Sequence, residues 1–186
     1  MSPKTGRSRS IRLAGLLALS LSFAAAIPEL TTAPLGSTPV VAPVAALSYV
    51  RVSSLTTPTR ATSIAIPRLR IAMPIRGGVL GATISPRYAY HYPTTSWPGG
   101  HSNTYLYAHA QRGAFLNLKY ARKGDLVIVR LATGQYVRYK VTLVASVAWN
   151  AGQWVMPTSS ERITLQTCLG QSRTSRRLIV TAVPAY

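Results

Sequence analysis

Between residues 137 and 143 the chain alternates: Val137, Tyr139, Val141 and Leu143 are apolar, and Arg138, Lys140 and Thr142 between them are polar. A period of two marks a strand with one buried and one wet face. The same reading from residue 61 onward predicts strands over 62–66, 79–84, 104–110, 126–131, 136–146, 163–168 and 178–183, each a short run rich in Val, Ile, Leu, Thr or Tyr and broken by Gly, Pro or Asn. Thr133-Gly134 joins two of these runs as a hairpin, and Gly124-Asp125 is a turn that opens the strand at 126. A short helix fits 115–120. About seven to eight short strands with one or two short helices predict an all-β fold, a closed or nearly closed β-barrel.

Upstream the texture changes. Lys4, Arg7, Arg9 and Arg12 precede an uncharged run rich in Leu and Ala over 13–27. A positive segment followed by an apolar one is the layout of an export leader. Ala24-Ala25-Ala26 offers small residues for cleavage before Pro28, and a retained anchor with its N-terminus inside satisfies the positive-inside rule equally well. Residues 1–27 are therefore read as a signal peptide or membrane anchor. Residues 28–60 carry Pro28, Pro34, Pro39, Pro43 and Pro58 among Thr, Ser and Ala, a spacing that interrupts helices and paired strands. They are read as a semi-stiff linker, and 61–186 as the folded domain.

Charge narrows the chemistry. The 186 residues hold 21 Lys plus Arg against 3 Asp plus Glu, a net +18. Residues 61–186 hold 15 of the basic and 2 of the acidic side chains. A glycosidase needs a carboxyl pair and a calcium site several oxygen anions, and Glu29, Asp125 and Glu161 are too few and too scattered for either. The Arg residues are spread through strand-like runs without Lys/Arg blocks or a recognisable module, so no nucleic acid is expected as a partner. For an exported domain, anionic wall polymer and the outer membrane leaflet are the expected neighbours.

One cysteine, Cys168, cannot form an internal disulfide. It is a small buried hydrophobe, half of an intermolecular disulfide, or a nucleophile. In the run 163–168, period two sends Ile163 and Leu165 to the core and Cys168 to the other face with Thr164 and Gln166, at the strand end before Leu169-Gly170-Gln171-Ser172. A thiol there is reachable. A nucleophilic thiol needs an acid/base partner, usually His. His109 ends an apolar strand at a loop, whereas His91 and His101 sit in Pro/Gly-rich stretches and read as solvated loop residues. An oxyanion needs fixed donors, which Arg176 or Arg177, just before the last strand, could supply.

Thr164-Leu165-Gln166-Thr167-Cys168 resembles the Thr-Leu-x-Thr-Cys nucleophile motif of the sortases, cysteine transpeptidases of bacterial cell walls. Asn103-Thr104-Tyr105-Leu106-Tyr107-Ala108-His109 is similar to that family's Asn-to-His strand, and Arg177-Leu178-Ile179-Val180 to its closing Arg-strand. Ile66-Pro67, Met73-Pro74 and Gly124-Asp125 extend the likeness over about 61–186. The sequence departs from the common pattern in having Ala108 where many members have Gly. The likeness is closest to single-domain sortases of the class D/E/F type. An L,D-transpeptidase fits less well, because its nucleophile sits in a Ser-x-Gly-Cys-like setting close after a His.

The resemblance implies a sortase-like barrel with Cys168 as nucleophile, His109 as general acid/base and Arg177 as the oxyanion group, Arg176 being the fallback. It implies cleavage of a Leu-Pro-x-Thr-Gly-like sorting signal between Thr and Gly through a thioester, then transfer to an amine acceptor. The partners implied are surface proteins bearing that signal and a wall precursor or pilin amine. No cofactor or metal is implied. Thr167 is expected beside the substrate, and Trp154 and Met156, in the connection 148–160, are expected to contact its Leu-Pro portion. The implied location is the extracytoplasmic face of the cell membrane, single-pass anchored, or secreted if the leader is cleaved. The alternative is a non-catalytic exported β-barrel that binds anionic wall polymer and buries Cys168.

Overall fold

A computed structural model of the chain describes residues 47–185. The expected leader and the first part of the expected linker lie outside the described residues. Among the described residues no helix is long and apolar enough to cross a membrane.

Eight strands form: β1 (Ala61–Ile66), β2 (Ile71–Gly77), β3 (Ala89–His91), β4 (Asn103–Tyr107), β5 (Leu126–Leu131), β6 (Tyr136–Val147), β7 (Arg162–Cys168) and β8 (Arg177–Pro184). They close in the order β1-β2-β3-β4-β7-β8-β6-β5, with β5 pairing back onto β1. Two contacts are parallel, β2 with β3 and β4 with β7. The others are antiparallel. Closure leaves no free sheet edge, and the inward-facing side chains fill the interior. Ile64, Ile66, Leu106, Val127, Val129, Leu131, Val137, Tyr139, Ile163, Leu165 and Val180 are all buried there. The short helix, Phe115–Tyr120, is of the 3-10 type. With three residues per turn it stacks Phe115 over Leu118 on one side, and both enter the core.

The alternation seen in the sequence holds through Val141. Val137, Tyr139 and Val141 are buried and Arg138 and Lys140 exposed. A register shift against β8 then falls between Val141 and Leu143. An extra residue on one strand reverses which face later side chains occupy, and Leu143 comes out exposed, contrary to its place in the pattern.

Further expectations change. Residues 79–84 are a loop and not a strand: Val79 and Leu80 are exposed, and Gly81 takes a φ of +77°. The neighbouring strands are β2 and β3. In β2, Ile71, Met73 and Ile75 point inward, with Pro74 at the position where β2 passes from pairing with β1 to pairing with β3. A proline lacks the donor for an interior ladder, which hides such a strand in the sequence, yet costs little at a hand-over point. β3 is only three residues long and is flanked by prolines.

Within the expected linker, the described part lies against the barrel. Tyr49 bridges Tyr136, with Val50 N–H donating to Tyr136 O (2.8 Å) and Tyr136 N–H to Ser48 O (2.9 Å). Val52 is buried and Leu55 packs on the core.

The acids and His91 are structural. Arg68 clamps Asp125 through both carboxylate oxygens, and that bonding holds the Asp125 carboxyl below its usual range. Glu161 is buried; its Oε1 accepts from the Tyr139 hydroxyl (3.0 Å) and Gly99 N–H (3.3 Å). Desolvation pushes that carboxyl up. His91, read from the sequence as a solvated loop residue, is also buried: its ring stacks on Trp97 at 3.6 Å and Nε2–H donates to Ser96 O at 3.0 Å. A carbonyl offers no proton, so Nε2 must carry one. Burial pushes the His91 imidazole down and keeps it neutral.

Two predictions follow from these signs. For Glu161 the folded value lies above the unfolded one of about 4.3, so its contribution is fullest in acid and declines as pH rises through the folded value. Tyr139→Phe removes a donor to the charged form and is expected to cost about 1–3 kcal/mol at pH 7 and less at pH 4, measured by urea unfolding. For His91 the folded value lies below the unfolded one of about 6.5. Stability is then fully present above that pH and falls below it, at up to about 1.4 kcal/mol per pH unit. His91→Phe should flatten this fall between pH 7 and 5; an unchanged slope would refute the assignment.

Candidate active site

Strand register brings the three candidate residues together. β4 and β7 run parallel with Leu106 opposite Leu165 and Tyr107 opposite Gln166. The match continues past the strand ends, because Ala108 N–H donates to Gln166 O (3.1 Å) and Thr167 Oγ1–H to Ala108 O (2.9 Å). His109 and Cys168 each lie two residues beyond the Tyr107–Gln166 pair and leave the sheet at the same end. β8 then returns antiparallel to β7, with Arg177 the direct partner of Cys168.

The loop between β7 and β8 holds the guanidinium. Arg177 Nη2–H donates to Arg173 O (2.8 Å) and Nη1–H to Ser175 O. Arg176 turns to the other neighbour, where its Nε–H donates to Ser146 Oγ (2.7 Å) on β6. His109, Cys168 and Arg177 line one cleft of about 490 Å³ together with Gln171 and Arg173; Arg176 is not among its lining residues. Of the three histidines only His109 reaches this cleft, with Nε2 3.1 Å from Ile84 O. His101 is exposed, at a φ of +53°.

A second groove of about 660 Å³ meets the first at Arg177. Tyr92, Tyr105, Tyr107 and Gln166 form part of its wall, and Val79, Leu80, Trp149 and Val155 supply apolar surface. The Tyr105 hydroxyl donates to Gln166 Oε1. Burial pushes the Tyr105 phenol up, the nearby Tyr92 adding to this and Arg177 opposing it, so the hydroxyl stays a donor at neutral pH. A third depression of about 300 Å³, lined by Leu116, Lys119, Thr167, Cys168 and Leu169 among others, opens on the other side of the thiol. The half-buried thiol therefore stands between two of these depressions, and Arg177 joins the first of them to the large groove.

Of the remaining candidates, Thr167 lines the third depression beside the thiol. Thr167 is buried, and its hydroxyl goes to Ala108 O, tying β7 to β4. Trp154 and Met156 do not line the grooves. Their carbonyls accept from Asn103 Nδ2–H (2.9 and 3.3 Å), while Asn103 Oδ1 accepts from Thr164 Oγ1–H (2.7 Å) and Arg162 Nε–H (3.2 Å). Asn103 thus fastens the 148–160 connection to β4 and β7, and that connection presents Trp149 and Val155 to the groove instead. The tyrosines of the groove are not among the residues the sequence motifs single out. Their signal was the spacing by two at 88, 90 and 92 and at 105 and 107, an aromatic stripe on one strand face.

A family model for the sortase domain matches residues 64–185. Among solved structures, sortase C-1 from Actinomyces oris is 28% identical, with a TM-score of 0.60, over 70% of this chain and 76% of that one. Sortase C2 of Group B Streptococcus pilus island 1 is 27% identical, TM-score 0.60, over 67% and 73%. Sortase A from Listeria monocytogenes shares the fold at 21% identity and a TM-score of 0.58, over 67% and 86%. No curated protein matches. With the domain matched along almost the whole barrel, and with solved sortases of both A and C types superposing on it, the chain belongs to the sortase family.

Proposed function

We propose that this sortase cleaves a Leu-Pro-x-Thr-Gly-like sorting signal between Thr and Gly and transfers the protein to an amine acceptor, with Cys168, His109 and Arg177 as the reacting set. The observation that carries this reading is the shared end of β4, β7 and β8, where all three side chains line one cleft. The Cys168 thiolate attacks the Thr carbonyl carbon, and the carbonyl oxygen becomes an oxyanion facing the Arg177 guanidinium. Two loop carbonyls already orient that guanidinium, so little reorganisation is needed as charge develops. The C–N bond breaks as His109 gives its proton to the departing Gly amine, leaving a thioester on Sγ and a neutral imidazole. An incoming amine then attacks the thioester carbonyl and yields its proton to His109, and the Cys168 thiolate leaves.

The groove walled by Val79, Leu80, Tyr92, Tyr105 and Trp149 suits the apolar Leu-Pro portion, with the scissile carbonyl at Arg177 where the two depressions meet. The donors are surface proteins bearing the signal, and the acceptor is an amine of a wall precursor or pilin. The reaction belongs on the extracytoplasmic side of the membrane, with 1–27 as the leader or anchor.

Incubation with a fluorogenic Leu-Pro-x-Thr-Gly peptide is expected to give cleavage abolished in Cys168→Ala. Arg177→Ala should lower kcat about 10²–10³-fold, the usual cost of an oxyanion donor, and His109→Ala by a similar or larger factor, while Arg176→Ala stays near the parent rate. Retained turnover in Cys168→Ala would sink the mechanism.

A further inference from the structure

In nucleophile–base pairs the base is commonly oriented by a third group, often a carboxylate. Among the described residues no carboxylate is free for that role. Among the described residues the acids are Asp125, clamped by Arg68, and Glu161, bonded to Tyr139. The partner of His109 is instead a backbone carbonyl, Ile84 O, 3.1 Å from Nε2. A carbonyl only accepts, so Nε2 carries a proton whether the ring is neutral or charged. Nδ1 is then the nitrogen whose proton comes and goes.

Ile84 belongs to the loop 78–87 between β2 and β3. Its base is fixed: Gly78 N–H donates to His91 O (2.8 Å), and a Cβ on Gly78 would fall 2.5 Å from the Tyr107 hydroxyl oxygen and 2.7 Å from His91 O. Its far end is fixed too, by Ser85 N–H donating to the Tyr90 hydroxyl (2.9 Å). Between these points Val79 and Leu80 are 68% and 59% exposed while forming one wall of the large groove. Gly81, at the tip, has a φ of +77° and open space around its Cβ position. The same short loop therefore offers apolar side chains to the groove and a carbonyl to His109.

We propose that this loop is the positioning element for His109, with Ile84 O fixing the ring so that Nδ1 exchanges the proton, and that peptide filling the groove against Val79 and Leu80 steadies that hydrogen bond. This rests on His109 being the acid/base group. Burying exposed Leu80 under a substrate restrains the chain four residues before the carbonyl that orients the imidazole. Binding energy from the remote part of the peptide is then expressed as orientation of the reacting group, and so in kcat.

The test uses the whole chain. Nitrogen-15 spectra of the His109 ring at a pH where it is neutral should show the Nε2–H tautomer; an Nδ1–H tautomer would overturn the proposal. With the fluorogenic peptide, Leu80→Ser, a change at an exposed position that leaves folding intact, is expected to lower kcat about tenfold to a hundredfold, the scale of a misplacement of roughly 1 Å. Trp149→Ala, in the same groove but with no link to His109, should act on KM. If Leu80→Ser acts on KM alone, the coupling is refuted. Failure of the catalytic reading would show separately, as parent-like turnover in His109→Ala, and would remove the coupling with it, whereas the ring spectrum reports the Ile84 contact without reference to turnover.

Discussion

Everything at the site depends on the parallel pairing of β4 with β7 inside a closed barrel. Parallel neighbours end on the same side, so residues that follow them in equal register emerge side by side. The Tyr107–Gln166 pair sets His109 next to Cys168, and the antiparallel return of β8 sets Arg177 opposite the thiol. A slip of one residue in either ladder would turn Cys168 or Arg177 toward the core, because side chains alternate faces. The apolar residues of β7 guard against that slip, because Ile163 and Leu165 are fully buried in this register and a slip would turn them to the other face. Core packing thus holds the geometry of the proposed reacting set, and the hydroxyl of Thr167, bonded to Ala108 O, extends the lock to the residue beside Cys168.

Scarcity of acids shapes how polar side chains are held. Roles that carboxylates often fill are filled here by amide groups. Carbonyls of the β7–β8 loop orient Arg177, Ile84 O meets His109, and the Asn103 side chain joins two strands to the 148–160 connection with all its contacts neutral except that to Arg162. A site oriented by carbonyls places no carboxylate beside the guanidinium of Arg177, as the proposed oxyanion role needs. The two acids of the barrel are used where a charge has a local partner, Asp125 under Arg68 and Glu161 under Tyr139. The basic excess is left mostly on the outer surface.

The grooves show why the lining was harder to read than the catalytic set. Trp154 and Met156 looked like the apolar contacts of the 148–160 connection, but Asn103 captures their carbonyls and turns Trp149 and Val155 to the groove. Val79 and Leu80 looked like a strand. They are loop residues whose exposure makes sense as a groove wall, and β3, three residues long, is too short to stand out as a strand despite the spacing of the tyrosines around it.

What the sequence determined by itself was the strict alternation of the first half of β6 and the short apolar runs of β1, β4, β5, β7 and β8, together with the local motif around Cys168 and the placing of His109 just after its strand. These are written in neighbouring residues, because the period of two and the turn residues act over a few positions. Tertiary structure alone decided the rest: the bulge that turned Leu143 outward, the choice of Arg177 over Arg176 at the cleft, the burial of His91 against Trp97, and the carbonyl that meets His109. All but the His91–Trp97 stack depend on a contact between segments tens of residues apart. The reason is physical. Which neighbour a side chain meets is set by strand order and register in the closed barrel, and those follow from the summed burial of the core, not from any local run of residues.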